Sequence, residues 1–401
     1  MLLWEWVFAI SAALLLYPYL IYPALIVPIG WVKRRLYPLP LGEPKEWPEV
    51  TIVIPAYREA QSVRPKMESI RRLDYPREKL RVLWVVATHE GDDSFDPTIQ
   101  ALSAYPEAEV LVVPHRGKIY SLNEARAHLH TPYALLTDAD IPLSERSLRQ
   151  AVCRAESDPR IALVGGIRRI RPESQSHSVA PHEALYLSYD EQIALAESAW
   201  GYALGVGGGF LLIRDAYWKR MPLGVADDLY LNLEVGFSGA KSVIEPQAQG
   251  YESPPLHIRT EFKRKVRIAY TAFQTLHHRF RWKEALRYPL FSYFLFSHKV
   301  CRYFIAPMAL ILLLISTSIL GVKMPFSAYG IALTLQAGAW IQAFLSWNFP
   351  KLRWPWKIGL PGYFVLAHLA QLSGLWRYLR KDDPMRVWLR FERMEPQFTP
   401  S

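Results

Sequence analysis

The chain has 401 residues, 51% of them hydrophobic, 13% aromatic and 21% charged, with a formal net charge of +10. This composition excludes a disordered polypeptide, a collagen-like repeat and a small disulfide-stapled scaffold. Two cysteines, Cys153 and Cys301, are too few and too far apart for a disulfide framework or a thiolate metal site, so any metal is expected on oxygen ligands.

Trp6 to Val32 is a run of 27 residues without a charge, followed at once by Lys33, Arg34 and Arg35. A bilayer needs roughly 17–25 such residues, so this run is long enough to span one. It is too long for a cleaved signal peptide, and its cations lie on the wrong side. The positive-inside rule places its start outside and the following residues in the cytoplasm. Pro18, Pro23 and Pro28 are expected to kink the helix, which spans tolerate when neighbours satisfy the freed backbone groups.

A charge-rich block comes next, and the near-zero mean hydropathy is the average of this block and the membrane part. Short runs rich in Val, Ile and Leu at Val50–Ile54, Arg81–Val86, Val110–Val113 and Tyr133–Thr137 predict strands. Helices are predicted at Ala60–Leu73, Asp93–Tyr105 and Lys118–His130. Strands alternating with helices imply an α/β domain with a mostly parallel sheet covered on both faces. Such sheets bind ligands beyond the strand carboxyl ends.

After the first strand comes Pro55-Ala56-Tyr57-Arg58-Glu59, and after the fourth Asp138-Ala139-Asp140. An Asp-x-Asp pair is often a solvated turn. At the end of a buried strand, both carboxylates project to one side and suit a hard divalent cation that also touches phosphates. The run Gly205-Val-Gly-Gly-Gly-Phe210 fails both phosphate-loop and dinucleotide patterns. It reads as backbone passing close to something, either a ligand or a neighbouring helix. Asp227-Asp228 precedes an apolar periodic stretch and so opens a helix. One aspartate suffices to cap the free amides; the second, desolvated beside a hydroxyl, has the chemistry of a general base.

From His257 to Lys283 there are eight Lys/Arg and one acid, Glu261. Phe262, Val266, Ala269, Phe273 and Leu276 share one helical face, whereas Arg259, Lys263 and Arg267 line another. A basic amphipathic helix before a membrane span implies interfacial lipid contact. The other reading is that a single Arg reaches back to a diphosphate. Three further uncharged runs lie beyond it: Tyr303–Val322 (20 residues), Met324–Pro350 (27) and Ile358–Trp376 (19). Four spans would leave the basic tail, with Arg377, Arg380, Lys381, Arg386, Arg390 and Arg393, outside. That conflicts with the positive-inside rule, and a re-entrant Ile358–Trp376 would resolve it.

Together these elements resemble the membrane-bound family 2 glycosyltransferases of GT-A fold, which include the cellulose and hyaluronan synthases and bacterial exopolysaccharide enzymes. Val50-Thr-Ile-Val-Ile-Pro-Ala-Tyr57-Arg-Glu59 is similar to their opening nucleotide-binding strand and turn. Gly117-Lys118-Ile-Tyr-Ser-Leu-Asn123 resembles the segment beside the donor, Thr137-Asp138-Ala-Asp140 the metal motif, and Gly207-Gly-Gly-Phe-Leu-Leu-Ile-Arg214 the strand under the donor sugar and acceptor. Ala226-Asp227-Asp228-Leu229 resembles the acidic pair whose second member is the base. Gly239 through Pro246 is similar to the glycine-to-proline segment that comes next in the family. Each motif alone is common; their order and spacing are specific.

The resemblance implies an inverting transfer from a nucleoside diphosphate sugar, foremost a UDP-sugar, to a glycan or lipid-linked acceptor in polysaccharide or exopolysaccharide biosynthesis. Catalysis falls to Asp228 with Asp227. Mg²⁺ or Mn²⁺ falls to Asp138 and Asp140. Donor contacts fall to Pro55, Ala56, Tyr57 and Glu59, to Lys118, Asp138 and Gly208, and to Arg264 and Arg267. The base contact usual after the second strand shifts to Thr88 or Asp92, and Arg58 stands where Asn is usual. The processive Gln-x-x-Arg-Trp motif reads Arg264-Lys-Val-Arg267-Ile268, without the aromatic face that positions a glucan terminus. Single-sugar transfer is therefore expected, with processive synthesis, nucleotidyl transfer and non-catalytic nucleotide binding as alternatives. The implied layout is a transmembrane helix at 1–35, a cytoplasmic GT-A domain at 36–256 and interfacial helices at 257–300. Transmembrane segments at 301–380 and a basic tail at 381–401 complete it. The expected setting is a bacterial inner membrane, with membrane lipids as partners and no nucleic acid.

Overall fold

Leu2–Leu36 forms one helical rod, built from α1 (Leu2–Leu16), a π-helical turn (Tyr17–Ile21) and α2 (Tyr22–Leu36). The wide turn falls at Pro18, where a missing N–H and a bulky ring make the ordinary ladder impossible. Lys33, Arg34 and Arg35 fill the last turn, at the negative end of the helix dipole. The structure is a computed structural model describing residues 1–38, 41–88, 96–170, 180–205, 207, 209–252, 257–349, 354 and 356–383.

The α/β part runs β1 (Val50–Ala56), α3 (Ala60–Arg71), β2 (Leu80–Thr88), α4 (Pro97–Leu102), β3 (Ala108–Pro114), α5 (Lys118–Ala127), β4 (Tyr133–Leu136) and α6 (Ser147–Glu156). It continues through β5 (Ile161–Ile170), α7 (Ala180–Ser198), β6 (Leu211–Arg214), α8 (Asp227–Ser238) and β7 (Lys241–Glu252). The strands form one sheet in the order β3-β2-β1-β4-β6-β5-β7. Only β6 among these runs antiparallel to its neighbours β4 and β5. Val50, Ile52 and Ile54 pack on one face with Val63 and Met67 of α3. Val53, Leu83, Val85 and Leu136 pack on the other with Ile119 and Leu122 of α5. Burial on both faces explains why β1, β2 and β4 are near-continuous apolar runs. β3 departs from that expectation: it is an edge strand, with Val110 and Val112 exposed. α4 is shorter than expected, because Pro97 opens it and Asp96 caps it by accepting from the Thr98 amide.

The chain leaves β1 for β2 on one side and reaches β4 on the other, so a crevice opens at the carboxyl ends of β1 and β4. Tyr57 and Asp138 lie just past the ends of these two strands.

Beyond the sheet lie α9 (Ile258–Arg279), α10 (Trp282–Arg287), α11 (Pro289–Phe294), a π-helical stretch (Leu295–Ile305), α12 (Ala306–Lys323), α13 (Ala328–Asn348) and α14 (Trp356–Leu379). Among the described residues three stretches are long and apolar enough to cross a membrane: Leu2–Leu36, Pro289–Lys323 and Ile358–Leu379. Of the four uncharged runs, Met324–Pro350 is the one not among these, whereas Ile358–Trp376, offered as re-entrant, is long and apolar enough to span. α13 has the length, at 21 residues, and carries no charge, but Gln336, Gln342 and Asn348 lower its hydropathy. α14 lies along α9, where a side chain at Gly374 would meet the Val266 carbonyl oxygen and Ala269 within 3 Å.

A buried polar cluster ties the rod, α7 and the π-helical stretch together. The Tyr22 hydroxyl donates to Glu197 (2.8 Å), and His298 bridges Glu197 (2.8 Å) and Asp190 (2.9 Å). Arg302 donates to the same Asp190 oxygen at 2.6 Å. Removing one member would strand a buried charge, which costs about 3–5 kcal/mol, so the cluster sets these helices in one register.

Candidate active site

The crevice is lined by the residues immediately past the carboxyl end of each strand. Tyr57 stacks on His115, with ring centroids 3.8 Å apart and planes at 13°. The His115 amide donates to the Thr88 carbonyl at 2.7 Å, which binds the ends of β2 and β3. His115 is not among the residues expected from the sequence, yet it stands after the third strand as Tyr57 stands after the first, and that position is a readable signal. Pro55 and Ala56 end β1. Glu59 opens α3: its amide donates to Thr98 Oγ1 (2.8 Å) and its carboxylate accepts from Ser62 Oγ (2.7 Å). Arg58 between them has φ +54°, a left-handed conformation that Asn tolerates better than Arg. Asp92 and Gly208 lie outside the described residues.

The carboxylates converge on one lysine. Lys118 is the first residue of α5, set there by Gly117 at φ +88°, which only glycine adopts readily. Its Nζ lies 2.7 Å from Asp138 Oδ1 and 2.9 Å from Asp227 Oδ2. Burial alone would lower its proton affinity; the Asp138 and Asp227 charges outweigh that and raise it. Asp228 stands next to Asp227 in the first turn of α8 and accepts from the Leu229 amide at 2.7 Å. Burial, then the Asp227 charge, push its carboxyl above the ordinary value, with Lys118 opposing. Such a group holds a proton more readily than a surface aspartate, as a general base should.

Arg267 completes the cluster from α9. Burial and Arg264 push its guanidinium down to about 10, against the attraction of Asp138, Asp227 and Glu252. It therefore belongs electrostatically to the crevice. Arg264 is turned toward its own helix, with Nε 2.7 Å from Glu261, and toward Glu252 at 4.0 Å. Glu252 also takes Arg168 at 3.1 Å, a further cation of the crevice that the sequence did not single out.

Behind the Asp-x-Asp turn stands Lys66, fully buried, donating to Thr137 Oγ1 (2.7 Å) and to the Ile141 carbonyl (2.5 Å). Thr137 in turn donates to the Gly209 carbonyl at 2.7 Å. The glycine run is thereby tied to the acidic turn. Its described glycines are required by close neighbours: a side chain at Gly205 would meet Ala194 of α7, and at Gly209 would meet Ile141. Asp138 and Asp140 are both half-buried at the crevice. Among the described residues no group of three His, Cys, Asp or Glu converges as a ready-made metal cage. Two aspartates fit Mg²⁺ or Mn²⁺, which take hard oxygens and complete their shell with phosphate and water.

A mostly parallel sheet with an acidic strand-end turn and a second acidic pair at the start of α8 defines a GT-A-like glycosyltransferase. Residues 48–285 match the model described as "Glycosyltransferase like family 2", and the chain belongs to that family. It is 34% identical over 131 residues to cellulose synthase 1 of Komagataeibacter xylinus, a match covering 32% of this chain and 8% of that one. It is 21% identical over 238 residues to the poly-beta-1,6-N-acetyl-D-glucosamine synthase of Staphylococcus epidermidis, covering 57% of this chain and 55% of that one. The chain thus spans a small part of the first relative and about half of the second. The fold is similar to that of the mannosyltransferase PcManGT from Pyrobaculum calidifontis, solved in complex with GDP-Man and Mn²⁺. The TM-score is 0.68 at 20% identity, covering 94% of this chain and 100% of that one.

Proposed function

We propose that this enzyme transfers one sugar, with inversion, from a nucleoside diphosphate sugar to a hydroxyl of a glycan or lipid-linked acceptor, in polysaccharide or exopolysaccharide biosynthesis. The observation that carries this reading is the Lys118 ammonium, 2.7 Å from Asp138 and 2.9 Å from Asp227. It joins the acid that would face the donor diphosphate to the pair that would face the acceptor. Asp228 takes the acceptor proton as the hydroxyl oxygen attacks the anomeric carbon; the bond from that carbon to the diphosphate breaks and the nucleoside diphosphate leaves. Lys118 and Arg267 offset the negative charge growing on the leaving group. Asp138 and Asp140 would hold Mg²⁺ or Mn²⁺, which supplies further charge compensation when bound.

The Tyr57–His115 stack and Thr88 border the region for the nucleobase. UDP- and GDP-sugars are the donors to compare first, since Thr88 stands where the resemblance places an Asp and the solved neighbour carries GDP-Man. Ile268 offers no ring for a glucan terminus, which favours single transfers. The catalytic part, residues 36–256, is placed on the cytoplasmic side of a bacterial inner membrane. An odd number of crossings from an outside start returns the basic tail to that side, in keeping with the positive-inside rule.

The test is release of nucleoside diphosphate by detergent-purified wild type and Asp228→Asn over a panel of UDP-, GDP- and dTDP-sugars. Turnover should fall roughly 10²–10⁴-fold in the variant while donor affinity stays within a few-fold. Pyrophosphate as the product would mean nucleotidyl transfer. Product length in the same assay separates single transfer from processive synthesis.

A further inference from the structure

Between α9, α13 and α14 lies a groove of about 840 Å³, far from the acidic crevice in its chemistry. Its walls are Phe262 and Val266 of α9, Trp340 and Phe344 of α13, and Leu366 and Trp376 of α14, with Lys263 and Arg377 at the margin. We propose that this groove holds a resident anionic phospholipid, with an acyl chain along the aromatic wall and the phosphate between Lys263 and Arg377.

Three observations carry this. First, the groove is apolar and of the size of a ligand pocket, and Phe344 (63% exposed) and Trp376 (61%) open it outward, which no water-facing surface sustains at small cost. Second, Lys263 and Arg377 are exposed cations on two different helices, and neither has an ion-pair or hydrogen-bond partner for its side chain among the described residues. Two unpartnered cations beside an apolar slot complement an anionic headgroup above an acyl chain. Third, Arg259 donates to the Trp347 carbonyl at 3.1 Å and Phe262 meets the Trp347 ring at 5.0 Å, so the floor of the groove is built rather than left by loose packing.

At 100° per residue, Phe262 and Val266 face the groove while Arg264 and Arg267 turn toward Glu252 and the crevice. Lys263 stands one turn before Arg267 on α9, so the headgroup site borders the helix face that carries Arg267. Because α9 carries both Val266 and Arg267, a lipid seated in the groove steadies the helix that presents Arg267 to the donor.

The experiment is native mass spectrometry of the full-length protein in detergent with added phosphatidylglycerol, phosphatidylcholine or a polyprenyl phosphate. No donor is needed, so the result stands apart from the catalytic reading. Phosphatidylglycerol should be retained about tenfold or more over phosphatidylcholine, as expected for roughly 1 kcal/mol from each of two cations. The preference should vanish in Lys263→Gln/Arg377→Gln, and Ser373→Phe, which narrows the groove, should lower retention of both phospholipids. Equal retention of the two phospholipids, or an unchanged preference in the double variant, would overturn the proposal. Stronger retention of the polyprenyl phosphate than of phosphatidylglycerol would overturn it in favour of a lipid-phosphate ligand.

Discussion

Lys66 is a lysine held without exposure behind the acidic turn, and burial, only partly opposed by Asp138, pushes its ammonium down to about 7. The unfolded chain keeps the ordinary value near 10.4. Between about pH 7 and 10 the unfolded state therefore binds more protons, so stability rises with pH across that window and is lowest below it. Denaturation of wild type and Lys66→Met in detergent should show this slope, worth on the order of several kcal/mol over the window, in the wild type alone. A flat wild-type profile would refute the burial argument. Arg58 offers a second test at this scale. Its φ of +54° costs a non-glycine residue roughly 1 kcal/mol, slightly offset by its guanidinium lying 5.4 Å from the Tyr57 ring centroid. Arg58→Asn should stabilise by about 0.5–1 kcal/mol, read as a higher melting temperature. The sequence flagged Arg58 as a departure and Lys66 not at all, because nothing in a helical Lys reveals that a strand-end turn will close over it.

At the scale of elements, β1, β2 and β4 were legible to within two residues, since strands buried on both faces need unbroken apolar runs; β5 and β7, though largely buried, were not singled out. β3 was legible as a strand but not as an edge, because its exposed Val110 and Val112 look like core residues. The antiparallel β6 was hidden for another reason: strand direction depends on how the chain returns to the sheet. Helix crossings were equally silent. Gly30 of α2 lies against α7, and a Cβ built there would come within 2.5 Å of the Ala196 Cα. Backbone cannot yield as a side-chain end can, so Gly30→Val should loosen the rod from α7 and destabilise by about 1–3 kcal/mol. Gly338, with open space around the same position, is the control, and Gly338→Ala should cost no more than a few tenths of a kcal/mol. Equal melting temperatures for the two variants would contradict this packing.

The molecule combines a catalytic sheet with, among the described residues, three stretches long and apolar enough to cross a membrane. Both cysteines are buried, which makes the native chain a quiet background for single-cysteine probes. With three crossings, a membrane-impermeant maleimide should label Ser327→Cys in intact cells, whereas Ser401→Cys should react only after permeabilisation. Labelling of both in intact cells would mean a fourth crossing. Charge-free runs, strand periodicity and the order of acidic motifs are local properties, so the sequence by itself determined the class of fold, the membrane character and most of the candidate site. Tertiary structure alone decided that Lys118 spans Asp138 and Asp227, that Arg168 and His115 join the crevice, and that α9 borders both it and an apolar groove. Those contacts join residues tens to more than a hundred positions apart, and their distances are set by how the sheet and helices pack, which no local pattern encodes.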